Sequence, residues 1–299
     1  MTRRGYGLFV ALCFIWGLPY LFIKVAVATL TPAALVFART AIGSVLLLPF
    51  AVRERPLRAL LERWRPIVLY TAIEVAIPWF LLSDAERRIS SSLAGLLVAA
   101  VPLVGVAVGR LSGSREKLSR RTILGLGVGL AGVAVLLGLD VSVKDYGAAA
   151  KMAVVVLCYA TGPLIIARRL ADLPSLPVVT ASLVLCAVGY APVALAELPS
   201  SWPSAGVLGA VLVLGAICTA LAFVVFFELI AEVGPVRATV VTYLNPAVAV
   251  ALGVAVLGEP FTLSTAAGFA LVLGGSFLGT WRRPPQARRP ASSTAGGAP

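Results

Sequence analysis

The sequence predicts an all-α membrane protein, ten transmembrane helices in two inverted five-helix repeats. Three observations carry this expectation: a composition too apolar for a water-soluble globule, ten apolar runs of spanning length, and a match of the chain with itself at an offset of 144 residues. In the 299-residue chain 60% of residues are hydrophobic, and 28 Gly raise the apolar share to about 69%, against about 45–50% in an average soluble domain. Only 13% of residues are charged, too few to coat a soluble globule or to keep a chain of this length disordered.

A helix needs about 20 apolar residues to cross a hydrocarbon core of about 30 Å. Cutting the sequence at clusters of charge and proline gives spans at 6–24, 32–52, 67–83, 91–110, 122–138, 148–167, 177–195, 207–229, 237–256 and 264–281. The connections are short, so consecutive spans run antiparallel as neighbours. Arg3 and Arg4 precede an apolar run that is longer than a signal-peptide core and has no small-x-small cleavage site, so the first segment reads as an uncleaved span.

Basic residues set the orientation. With the N-terminus in the cytoplasm, the inner loops and ends hold nineteen Lys and Arg and the outer side five, namely Lys24, Arg87, Arg88, Lys144 and Lys151, with Arg39 inside a span. Both termini are then cytoplasmic in a multi-pass protein of the cell membrane, and 284–299, rich in Pro, Ser, Ala and Gly, reads as a disordered tail. The net charge of +12 sits in these loop clusters rather than along one stripe, which argues against nucleic acid as a partner.

At an offset of 144, Pro19 falls on Pro163, Lys24 on Arg168, Ile73 on Ile217, Ala76 on Ala220, Ala94 on Ala238 and Pro102 on Pro246. After a one-residue deletion, Glu116 falls on Glu259, Gly125 on Gly268 and Gly132 on Gly275. The repeats are thus read at 5–140 and 148–281. Five spans is an odd number, so the second copy enters the membrane from the opposite side, the arrangement that lets two halves exchange conformations around a midplane site.

A charged side chain at bilayer depth costs about 2.5–3.5 kcal/mol on insertion scales, so Arg39 in span 2 and Glu74 in span 3 are expected to face the bundle interior. They read either as an ion pair that fixes packing, as a substrate or proton site, or as groups reaching toward headgroups. With no His in the chain, proton coupling would fall to carboxyls, and desolvation favours the neutral form of a carboxyl; Glu74 is the expected coupling group. The other mid-span polar groups are Tyr70, Thr71, Trp79, Tyr159, Thr161, Thr219, Tyr243 and Asn245. The repeat register matches span 3 with span 8 and span 4 with span 9, which would gather these groups around the pseudo-two-fold axis. Interfacial anchoring is the alternative for each aromatic. Asn245 stands out because Pro246 frees a carbonyl of the preceding turn while Asn brings a donor and an acceptor.

The glycines Gly125, Gly127, Gly129 and Gly132 in span 5, and Gly268, Gly274, Gly275 and Gly279 in span 10, read as faces for close helix packing. Glu116 and Glu259 read as caps near helix N-termini. Cys13, Cys158, Cys186 and Cys218 lie singly in apolar runs without ligand spacing, so neither a metal nor a cofactor is expected.

Trp16, Gly17 and Lys24, then Pro32 and Arg39, then Pro102, Glu116, Gly125 and Gly132, then Pro246, Gly258, Glu259, Pro260, Gly268 and Gly275 resemble the motifs of the EamA type of the drug/metabolite transporter superfamily, over about residues 5–281. Ala160 and Thr161 stand where the second copy would repeat Trp16 and Gly17, and Arg115 stands where the second copy has Gly258, so the halves have diverged. The resemblance implies a central cavity and secondary transport, export or uptake, of a small metabolite, amino acid or drug. A homodimer is compatible with such a chain.

Two other classes compete with a transporter. A membrane-embedded enzyme needs a nucleophile and base or a metal cluster at depth, and no convergent set of such residues is present; no enzyme activity is expected. A non-transporting scaffold would show no flux. An ATP-driven pump is excluded for this chain alone, which lacks a G-x-x-x-x-G-K-[S/T] loop.

Overall fold

The computed structural model of the chain describes residues 2–54, 57–112, 119–139, 145–197, 201–234 and 238–280. The cap expected at Glu116 and the tail expected at 284–299 lie outside the described residues. Among the described residues the fold is all-helical, without strands. The long helices are α1 (Arg3–Ala26), α2 (Pro32–Arg53), α3 (Trp64–Ala85), α4 (Ser91–Leu111), α5 (Arg120–Leu139), α6 (Tyr146–Leu170), α7 (Ser175–Ala196), α8 (Ala205–Val233), α9 (Val240–Leu257) and α10 (Leu263–Thr280). Eight of them are long and apolar enough to cross a membrane; α5 and α10 are the other two, α10 with a shorter apolar run, Leu263–Leu278.

Side chains placed just before the helices stop their first turns. Thr31 accepts from the Ala34 amide at 3.2 Å with Pro32 opening α2, Ser90 accepts from Leu93 at 3.1 Å, Asp145 from Ala148 at 3.1 Å and Thr262 from Thr265 at 3.1 Å, each satisfying an orphan amide. Gly258, at φ 65°, closes α9 in the left-handed region where glycine costs least.

Packing pairs the two halves. α2 lies along α7, α5 along α10, α1 along α9 and α4 along α6, while α3 packs on α6 as α8 packs on α1. The α5–α10 contact is the tightest: a Cβ on Gly275 would come within 2.6 Å of the Gly125 carbonyl, and one on Gly132 within 2.7 Å of the Val272 amide. Both helices meet backbone to backbone there, as the glycine faces require. Gly127 and Gly274, read as part of those faces, have open space beside them. Leu, Val and Phe side chains on the outside are exposed, among them Val45, Phe50, Val188 and Leu212. The inner core joins Tyr20 and Ile23 of α1, Leu93 and Leu96 of α4, Met152 and Val155 of α6, Leu214 of α8 and Ala249 of α9.

Five helices are irregular among the described residues: α6 ends in a π turn, Ile166–Leu170, that has no counterpart in α1, and the other four irregularities come in matched pairs. α3 widens to a π-helix at Thr71–Ala76, and α8 does so at Val213–Leu221; the 144-residue register lays the first on the second. α4 breaks at Ala99–Ala100 ahead of Pro102, and α9 begins as a 3-10 turn, Thr239–Tyr243, before Pro246. Proline withdraws an amide from the ladder at each break. π segments expose backbone and reorient side chains, and they recur at functional sites.

Candidate functional site

The π segments of α3 and α8 bracket a buried polar seam. Arg39 of α2, only 7% exposed, donates through Nε to the Thr219 hydroxyl of α8 at 2.9 Å. Its guanidinium carbon stands 3.7 Å from the ring centre of Trp79 on α3. The Thr219 hydroxyl in turn donates to the Leu214 carbonyl at 2.8 Å, five residues back in its π segment. Arg39 therefore ties the π segments of α3 and α8 together from α2, which packs against both helices, and Trp79 of α3 shares a core cluster with Ala220 of α8. A desolvated cation–π contact gives about 2 kcal/mol and a hydrogen bond to a charged group about 1.5–3, enough to offset the insertion cost of one arginine. No carboxylate is needed to hold Arg39 in place.

Glu74 is accordingly not its ion-pair partner. The carboxyl of Glu74 lies against the bare Cα of Gly162 on α6, where any Cβ would collide with Oε2. That oxygen is shut off from solvent and has no hydrogen-bond partner. Tyr159, one turn back on α6, meets Trp79 and lies within electrostatic reach of Arg39 and Glu74, and Tyr20 of α1 lies within electrostatic reach of Tyr159 and Arg39. The seam thus presents one guanidinium, one unpartnered carboxyl, three aromatic side chains and a hydroxyl, contributed by α1, α2, α3, α6 and α8. An apolar groove of about 350 Å³ between α3 and α7, lined by Val68, Thr71, Ala72, Cys186 and Tyr190 among others, runs beside the π segment of α3. The Tyr190 hydroxyl donates there to the Ala76 carbonyl at 3.0 Å, satisfying backbone that the π segment leaves free.

Of the residues expected from sequence, the structure gathers Arg39, Glu74, Trp79, Tyr159 and Thr219. Tyr70 is buried with Ile67, Ile165 and Val178 one turn below Glu74 and within its electrostatic reach. Thr71 and Thr161 spend their hydroxyls on their own helices, at the Ile67 and Leu157 carbonyls. Tyr243 and Asn245 lie at the α9 break. The Asn245 amide, oriented to satisfy its bonds, donates to Cys13 of α1 at 3.2 Å and to Val241 at 2.9 Å. The Tyr243 hydroxyl points to the Ser276 carbonyl of α10 over a long 3.4 Å. These two join the break to its neighbours rather than to Arg39. Glu259 caps a helix, as expected for its type, and the helix is α4 of the other half: its carboxylate accepts from Ser91 N at 2.7 Å, Ser92 N at 2.9 Å and the Ser92 hydroxyl at 2.5 Å. Burial would push its carboxyl up, but the Ser92 and Ser91 donors outweigh that and hold it below the ordinary carboxylate range.

Sequence reading missed Glu86. It sits one residue past the end of α3, fully buried, and neither carboxyl oxygen has a partner. Beside Arg87 and Arg88 it reads as ordinary loop charge, and nothing local marks it as buried. Lys24, matched to Arg168 by the repeat, approaches the same turn but donates to the Glu86 and Ile89 carbonyls, at 2.6 and 2.8 Å. Among the described residues no group of His, Cys, Asp and Glu has the convergence of a metal site.

Apolar toward its surroundings and polar along an interior seam, the bundle has the build of a polytopic membrane protein whose helices are broken where its polar groups meet. The chain belongs to the EamA-like transporter family, whose profile matches it twice, over residues 3–138 and again over 148–281. It is 29% identical over 278 residues to an uncharacterized inner membrane transporter, YedA, of Escherichia coli K12, with 89% of this chain and 86% of that protein covered. It is 24% identical over 270 residues to an uncharacterized transporter of Archaeoglobus fulgidus, covering 88% of this chain and 94% of that one. Its fold is also that of a protein of known crystal structure, with a TM-score of 0.67 over 94% of this chain and 98% of the other, at 23% identity.

Proposed function

We propose that this protein is a secondary transporter that carries a small metabolite, amino acid or drug across the cytoplasmic membrane by alternating access, and that it works as a proton-coupled exporter. The observation that carries the reading is the pair of π segments at equivalent repeat positions, with Arg39 bonded to one and stacked on the tryptophan above the other. Two inverted five-helix copies, ten spans in all, account for the matched pairing of α2 with α7 and α5 with α10 and for the matched breaks at Pro102 and Pro246. In the orientation favoured by the positive charge, the end with Arg4, Arg63 and Arg168 is cytoplasmic and the end with Lys24 and Glu86 faces out.

Arg39 offers a cation for a carboxylate or carbonyl, Trp79 and Tyr159 offer aromatic faces, and Glu74 Oε2 is an acceptor waiting for a donor. This set suits a zwitterionic, neutral or amphiphilic solute better than a polyanion. Counterflow in proteoliposomes with a panel of labelled amino acids, amines and neutral metabolites, with and without a pH gradient, tests the reading. Exchange of at least one solute, lost in Arg39→Ala, is expected; Glu74→Gln is expected to remove the response to the pH gradient. Absence of flux for every solute in wild-type liposomes defeats it in favour of a scaffold.

A further inference from the structure

At the Lys24 end of the bundle the cations near Glu86 among the described residues are already engaged. Lys24 of α1 is fixed on two backbone carbonyls. Lys151 of α6 bonds Asp84, and Arg87 pairs with the same carboxylate at 3.8 Å. Arg88 turns to Asp145 at 3.9 Å. Arg39 of α2, which also faces Glu86, is taken by Thr219 and Trp79. Glu259, entering from the loop after α9, is a like charge, and its oxygens already hold the amides of Ser91 and Ser92. Tyr20 of α1 is within electrostatic reach of Glu86. No donor from any of these elements reaches either oxygen of Glu86.

A bare ionised carboxylate sealed from water is among the most costly groups a fold can hold, so it neutralises instead. Burial indeed pushes the Glu86 carboxyl up, against the pull of Lys24. We propose that Glu86 is a proton-binding site at the outward end of the bundle, loaded while that end is closed and linked to the solute seam through Tyr20 and Arg39. Glu74 and Arg39 lie within electrostatic reach of Tyr159, and Tyr159, Arg39 and Glu86 within electrostatic reach of Tyr20, so the charge on Glu86 is felt at Arg39. Whatever binds Arg39 must then alter proton binding at Glu86 by the same factor. The coupling part of this inference rests on the transport reading; the proton site does not.

Infrared difference spectra of the purified full-length protein in lipid, titrated from acid to alkaline pH, test it directly. The expected result is protonated-carboxyl absorption that persists at neutral pH, with one component lost in Glu86→Gln, shifted in Glu86→Asp and retained in Glu74→Gln, which removes at most a separate component. A wild type without such a band at neutral pH, or a band untouched by Glu86→Gln, overturns the proposal. So does a band that disappears when choline is replaced by sodium at constant pH, which makes the site one for sodium. In counterflow, loss of pH-gradient stimulation in Glu86→Gln supports the coupling. If wild-type liposomes show no flux at all, the transport reading fails while the infrared result stands.

Discussion

Arg39 is held by an aromatic face and a hydroxyl rather than by an acid, and this decides how the site responds to substitution. Thr219→Val removes the acceptor and leaves a buried N–H bare, at an expected loss of about 1–3 kcal/mol, read as a lower melting temperature in lipid. Arg39→Lys keeps the charge but loses the planar guanidinium that lies over Trp79 and the Nε donor aimed at Thr219, so it is expected to behave like a loss of the residue in counterflow. Gly162→Ala tests the seat of Glu74: the added methyl occupies the place of Oε2, and overpacking of this kind costs about 1–3 kcal/mol. The expected outcome is a destabilised protein with weakened solute exchange. Arg39, Glu74 and Trp79 were legible in the sequence because charged and large polar groups at bilayer depth are rare enough to stand out. The Arg39–Thr219 bond was not, since it joins residues 180 positions apart and neither implies the other. Glu86 was hidden by its neighbours, two arginines that make any carboxylate look solvated.

At the level of elements, the sequence predicts helices well and their defects poorly. Span positions follow from apolar length, and the breaks at Pro102 and Pro246 follow from proline. The π segments need tertiary support, since a lone helix gains nothing from the wider turn; here Tyr190 covers the Ala76 carbonyl and Thr219 the Leu214 carbonyl. Glu259 is the clearest contact of one repeat on a helix start of the other. Its carboxyl is depressed in the folded state, so the stability it contributes is present above the ordinary glutamate range and is lost as pH falls through the folded value. Glu259→Gln is expected to cost about 1–2 kcal/mol at neutral pH and to flatten the acid side of a melting-temperature profile. An acid limb equal to that of wild type would deny the carboxylate its role at the α4 start.

For the whole molecule, the Ser91–Ser92 turn of the first repeat meets Gly253 and Glu259 of the second, and alternating access requires this seam to part. A Ser92→Cys, Gly253→Cys pair, oxidised, is expected to abolish counterflow and to release it on reduction; undiminished exchange in the cross-linked protein rules out opening at that end. The native cysteines are free and buried, which keeps them from competing for the oxidant. The α5–α10 pair has a different significance, one of timing. The glycine face of α5 meets Leu103 of α4 beside Gly129, but the helix that Gly125 and Gly132 meet, α10, is made far later in the chain, so for that interval this part of the face lacks its partner. A chain cut before Leu263 is left with Gly125 and Gly132 of α5 facing the bilayer in place of α10.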